Sequence, residues 1–334
     1  MLKAAALTAA TQFGLAACAL VHQPQLLLIL SACLLLIKAC AAVGSEVGGA
    51  VSVLCSAPEA ERTSANGKFQ SGKNLGSLLA PVVGGLLYEK GGFALPFLVG
   101  GGLLSLVVVL GWSRMSALPA YASTEAATSS SPSSTSSKRS LLSIPLIRLA
   151  LAIYSLAGCA LFYALPYLQP WLSQAFALSE GKVGLVVGGC NLGVAIGAGL
   201  AATLERRAGA PVALAIAFAM AIAGFLLLSA SPSHGLWLFL LALALVNGSV
   251  GSVFTISNPL MIKAAEGAGM GAEDAAAQAA STGIISLGVA VAIAPACSSL
   301  VVGALGYQRA TAAAAAIVGL PGLALSLLLA WKMR

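Results

Sequence analysis

Two ionisable residues lie inside one long apolar run, and they are the first candidates for chemistry. Lys38 sits in Leu-Leu-Ile-Lys-Ala-Cys, well inside residues 25–55, and Glu46 lies further along the same segment. A bare charge in hydrocarbon is costly, so each must face a partner or water, or give up its charge. On one helix the two stand about 12 Å apart along the axis and about 80° apart around it. They share a broad face but cannot pair directly. A charge held at such depth by a facing partner or by water would mark a functional position. The alternative has Lys38 snorkelling and Glu46 near the membrane edge. Polar or aromatic groups in the middle of other apolar runs are candidates for a substrate cavity: Gln12, Tyr163, Tyr167, Asn191 and Asn247. Tyr163 and Tyr167 share a helix face at i,i+4 spacing. Groups of this kind either meet a solute or hydrogen-bond between helices.

No nucleophile–base pair and no metal-ligand set accompanies them. Enzyme activity, a cofactor and a metal site are therefore not expected. Cys18, Cys33, Cys40, Cys55, Cys159, Cys190 and Cys297 lie in or beside apolar runs, while His22 and His234 occupy short polar breaks. The thiols read as small buried hydrophobes. Asn247-Gly-Ser is a formal glycosylation triplet, but inside a span it should go unused.

The elements that hold these residues follow from composition. Of the 334 residues 59% are hydrophobic and 8% charged, with a mean hydropathy of +0.97. A soluble domain carries about 25% charge because its surface faces water. Lipid must therefore be the solvent for most of this surface. The fold class is all-α, a polytopic membrane helix bundle. Ten apolar segments are long enough to cross: about 4–21, 25–55, 68–89, 92–112, 145–169, 182–204, 210–229, 235–262, 278–303 and 308–331. Gly and Ala crowd them, which lets helices approach closely where no hydrophobic drive exists.

The net charge of +7 forms no stripe and argues for no nucleic acid. Placing both termini in the cytoplasm puts Lys3, Arg62, Lys68, Lys73, Arg114, Lys138, Arg139, Arg148, Arg206, Arg207, Lys263, Lys332 and Arg334 inside. Lys90, Lys182 and Arg309 fall outside, as the positive-inside rule requires of a minority. Leu15-Ala16-Ala17-Cys18 has the look of a lipoprotein signal, but the hydropathy of the chain beyond Cys18 excludes an exported soluble domain. Residues 113–142, rich in Ser and Thr, read as a disordered cytoplasmic linker. It divides a four-span bundle, 1–112, from a six-span bundle, 143–334.

The third span is the most informative. Gly67, Gly76, Ala80, Pro81, Gly84 and Gly85 place small residues along a helix that proline bends. With Ala57-Pro58-Glu59-Ala60-Glu61-Arg62-Thr63 before them and Leu87-Tyr88-Glu89-Lys90-Gly91-Gly92-Phe93-Ala94-Leu95-Pro96-Phe97 after, this stretch resembles major facilitator transporters between their fourth loop and sixth helix. The ending is most similar to the vesicular amine transporter and drug:proton antiporter branch. The family's antiporter motif is Gly, eight residues, Gly, three residues, Gly-Pro, two residues, Gly-Gly; here Ala80 alone departs from it. Lys38-x-x-Ala41-Ala42-x-Gly44 resembles the family's fourth-helix Arg-x-x-Gln-Gly-x-Gly at the cation and the last glycine. Leu165-Pro166-Tyr167, Leu204-Glu205-Arg206-Arg207-Ala208-Gly209 and Asn258-Pro259-Leu260 extend the likeness through the second half.

The resemblance implies a secondary transporter working by alternating access, with proton-coupled antiport of a small organic solute, cationic or amphipathic. Small-molecule substrate, protons and the lipid bilayer are the partners it implies. It makes Lys38 and Glu46 the proton-coupling candidates and the Gly67–Gly85 stretch the conformational motif. It also matches family helices three to twelve, so a chain lacking the first two is expected, without the carboxylate that amine transporters carry on their first helix. The alternatives are a truncated, non-transporting remnant or partner subunit, and a passive channel or flippase. The residues select no oligomeric state and no targeting motif that separates a plasma membrane from an organelle.

Overall fold

A computed structural model gives the architecture and describes residues 2–333 apart from His22, 117–140, Ala164 and Ser179. The helices in order are α1 Leu2–Ala17, α2 Pro24–Ser56, α3 Arg62–Gly91, α4 Ala94–Ser116, α5 Pro145–Tyr163 and α6 Leu165–Phe176. They continue with α7 Glu180–Ala208, α8 Ala210–His234, α9 Leu236–Gly267, α10 Ala272–Ala314 and α11 Leu320–Lys332. Among the described residues there are no strands. That follows from the solvent: in lipid each backbone N–H and C=O must be paired within the chain, and a helix does so by itself.

Eight helical stretches of the described residues are long and apolar enough to cross a membrane. Two details reconcile these with the ten expected spans. The last stretch, Asp274–Lys332, is a single helical run, but it turns at Gly306, whose φ of 74° and ψ of 163° are not helical. Only glycine adopts that pair of angles readily, so the run divides near the expected boundary of the ninth and tenth spans. The other missing span is α3, 30 residues long, where Arg62, Lys68, Lys73 and Lys90 dilute the apolar character. The expected span at 145–169 ends earlier as α5, with α6 following it. Of the expected linker at 113–142, α4 extends to Ser116 and a 3₁₀ turn covers Leu141–Ser143; residues 117–140 lie outside the described residues.

The chain forms two compact units. The larger holds Ala50–Val82 and Leu141–Arg334. Its centre is α9, buried at every residue from Val246 to Ile262 and packed against α5, α7 and α8. α10 lies on α5 and α8, and α11 lies on α8. Backbone meets backbone between α7 and α9, because Gly197 sits against Gly248 and Gly251 against Val194. A side chain at Gly197 or Gly251 would collide with a main-chain atom, so small residues set the distance between the helices.

The smaller unit holds Met1–Gly49 and Val83–Ser140. Within it α1 packs on α4, with the Phe13 ring over Gly101. α2 meets α1 where Leu34 covers Gly14 and where Gly44 approaches Ala4. Most of the surface of α2 and α4 remains exposed, as suits helices that face lipid.

Candidate functional site

α2 ends at a proline. Pro58, with φ −55° and ψ 150°, directs the chain out of the helix, and the 3₁₀ turn Glu59–Glu61 leads directly into α3. This short turn crowds Glu59, Glu61 and Arg62 at the start of α3. The ends of α7 and α9 bring up Glu205, Arg206, Lys263 and Glu266. Together with Pro259, Ala202 and Gly209, most of them line a cleft of about 800 Å³.

Two ion pairs cross this cleft. One guanidinium nitrogen of Arg62 donates to both carboxylate oxygens of Glu266 at 2.9 Å. The two side chains are 12% and 25% exposed, so water screens the attraction only partly. Lys263 and Glu59 stand 3.1 Å apart but are 69% and 59% exposed. A pair so open contributes little. The Thr63 hydroxyl hydrogen-bonds Glu205, which also feels the charge of Lys263.

Deeper along α3 the contacts change from charged to polar. Asn66 Nδ2 donates to Thr255 O at 3.0 Å and to Phe254 O at 3.4 Å. Gly67 lies so close to α7 that a Cβ there would stand 2.8 Å from Ala198 O. The Ser71 hydroxyl donates to Ala195 O at 2.8 Å, and Asn191 Nδ2 of α7 donates to Ser77 O at 3.4 Å. The first part of α3 is thus joined to α7 and α9 by an ion pair, by hydrogen bonds to main-chain carbonyls and by glycine contact.

A second cavity, about 620 Å³, opens at the Gly306 turn between α6 and α10. Its wall is aromatic. Trp171 stacks on Tyr307 with centroids 4.5 Å apart and on Phe239 at 5.1 Å. Tyr167, Gln174, Val302, Leu305, Gln308 and Arg309 also line it.

The expected site residues fall in several places. Lys38 and Glu46 are half-buried on α2, in the smaller unit. Gln12, on α1, is half-buried with its amide oxygen unpartnered and its nitrogen directed toward Gly100. Of the α3 motif, Gly67 makes the tight contact; a Cβ at Gly76, Gly84 or Gly85 would meet nothing within 4 Å. Ala80 is exposed, and Pro81 continues the helix. Tyr163 is buried and donates to Ala310 O at 3.2 Å. Asn247 is buried and donates to Leu243 O within its own helix at 2.8 Å. Tyr167 lines the aromatic cavity. The residues not singled out beforehand are Asn66, Ser71, Glu205, Lys263 and Glu266. Pro259 was the available signal for Asn66, since a proline in a helix frees a carbonyl that needs a donor.

Residues 2–281 match the Major Facilitator Superfamily. The chain belongs to this superfamily. Among curated relatives, this superfamily member is 31% identical to the rat (Rattus norvegicus) MFS-type transporter SLC18B1 over 154 residues, 46% of this chain and 31% of that protein. It is 36% identical to human (Homo sapiens) SLC18B1 over 131 residues, 39% of this chain and 26% of that protein. The matched stretch thus spans less than a third of these relatives. Among solved structures, the E. coli fucose:proton symporter FucP superposes with a TM-score of 0.70 at 18% identity, over 98% of this chain and 82% of that one. That likeness concerns the fold: a multi-pass, all-α membrane protein of the major facilitator type.

Proposed function

We propose that this chain is a secondary active transporter that works by alternating access and exchanges protons for a small organic solute, cationic or amphipathic. The observation that carries the reading is the seam along the first part of α3. It is made of Arg62–Glu266, Asn66, Ser71 and the Gly67–Ala198 contact. Such contacts can break and re-form in water without uncovering interlocked apolar side chains, which suits an element that docks and releases in a cycle. The positive-inside distribution assigns the charged cleft to the cytoplasm, so the seam is a gate on that side.

In this reading residues 1–112 and 143–334 are the two rocking bundles, joined by the 113–142 linker, and α3 is the helix of the first that docks on the second. Lys38 and Glu46 carry the proton coupling. The Gly76–Gly85 stretch leaves α3 smooth where it must slide. Gln12, Tyr163, Tyr167, Asn191 and Asn247 remain the cavity candidates. The α3 motif, through its resemblance to the antiporter branch of the family, favours antiport and a cationic or amphipathic solute.

The test is exchange in proteoliposomes holding the full chain and a lumenal pH dye. Adding a quaternary aromatic ammonium cation outside acid-loaded vesicles should lead to its uptake and a rise in lumenal pH together, and protein-free vesicles should show neither. Arg62→Glu should slow exchange at least about tenfold, since a half-buried charged hydrogen bond is worth about 1.5–3 kcal/mol. Adding Glu266→Arg should restore it. Cation uptake that ignores the pH gradient would make the chain a passive conduit. Binding with no flux would make it a non-transporting partner.

A further inference from the structure

A proline inside a buried helix leaves one carbonyl without its donor, and α9 has such a proline. Pro259 lacks an N–H, so the Thr255 carbonyl one turn earlier loses its intrahelical bond. Both residues lie in the continuously buried part of α9, where no bulk solvent can repair the loss. The donor comes from another helix. Asn66 Nδ2 reaches Thr255 O at 3.0 Å, and Asn66 is itself wholly buried on α3. Gly67 permits the approach, since even a Cβ there would stand 3.3 Å from Thr255 Cγ2.

We propose that Asn66 is a positioning residue of the transport cycle: its amide satisfies the Thr255 carbonyl while α3 lies on α9, and water replaces it when the helices part. The proposal rests on the alternating-access reading and names a second lock within the same gate. The charged cleft borders the break, because Pro259 and Leu260 line it beside Arg62 and Thr63. Water therefore has a short route to the carbonyl once the seam opens. With the seam closed, the amide is its donor. Arg62–Glu266 closes the rim and weakens with salt; the amide lies inside, out of reach of ions.

A double-substitution cycle tests this in the full chain. Ala202→Cys, on the cleft wall, is labelled from the cleft side with a membrane-impermeant maleimide. Mass spectrometry of that one peptide tracks the rate, so the native thiols do not interfere. Asn66→Ala should raise labelling about tenfold, because only the closed state then holds an unpaired carbonyl. Asn66→Asp, which keeps the shape and loses the NH₂ donor, should do the same and serves if the alanine variant folds poorly. Pro259→Ala returns the missing N–H, and in that background either substitution should change labelling less than about twofold. Equal effects of Asn66 substitution in both backgrounds would overturn the proposal, as would no effect in the native background. Failure of the gate reading itself looks different: Arg62→Gln would leave Ala202→Cys labelling unchanged.

Discussion

α9 of the larger unit has 61% of its apolar stretch buried, whereas α2 and α4 of the smaller unit each have 6%. Hydropathy runs the other way, at 1.9 for α9 against 2.6 and 2.2 for α2 and α4. In water the most apolar helix would be the most deeply buried. In lipid an apolar side chain gains little by leaving the tails, so burial follows other properties. α9 owes its central place to Gly248 and Gly251, which let backbones touch, to Ser252, whose hydroxyl donates to Gly197 O of α7 at 3.0 Å, and to the Thr255 carbonyl, which accepts from Asn66. α2 carries Leu28, Ile29, Leu35 and Leu36, and all four are exposed.

This contrast is best broken at its strongest point. Gly251→Leu should cost more than about 3 kcal/mol, beyond the usual penalty for overpacking, because the atom in the way is the Val194 carbonyl and cannot rotate aside. Loss of the monodisperse peak in detergent would show it; a fully stable variant would mean that α7 and α9 separate freely. A smaller effect is expected at Gly306. Replacing it with alanine forces a side chain into φ 74° and ψ 163°, at a cost of about 1–3 kcal/mol, visible as a lower melting temperature. Smallest is Leu36→Ala on the open face of α2, 68% exposed, which should shift stability by less than about 0.5 kcal/mol. A loss as large as that at Gly251 would reveal a partner covering α2.

Much of the architecture was legible because lipid imposes a simple code. Long apolar runs locate α2, α4 and α8, and Gly235, with φ 92°, sits where α8 and α9 divide. α3 was legible through its small-residue motif rather than its hydropathy, which its lysines depress. The candidate site was harder to read. Arg62 and Glu266 lie 204 residues apart, and each looks like an ordinary loop charge until α2, α7 and α9 bring the loops together. Asn66 gave no periodic signal, since its role depends on a carbonyl in another helix. Tyr163 and Asn247 were read as cavity candidates from depth alone, and depth does not reveal that their polar atoms already have main-chain partners. Hydropathy reports the solvent around a helix; pairing between helices depends on register, which one segment does not encode.

The aromatic wall at the Gly306 turn has a consequence for optical measurement. The chain has four tryptophans. Trp112, Trp237 and Trp331 are each at least 60% exposed, while Trp171 is held between Tyr307 and Phe239. With the three exposed indoles replaced by phenylalanine, emission would arise from Trp171 alone. The protein would then carry its own fluorophore beside the turn between the last two spans, and any rearrangement there would register as a change in colour and quenching without an added dye.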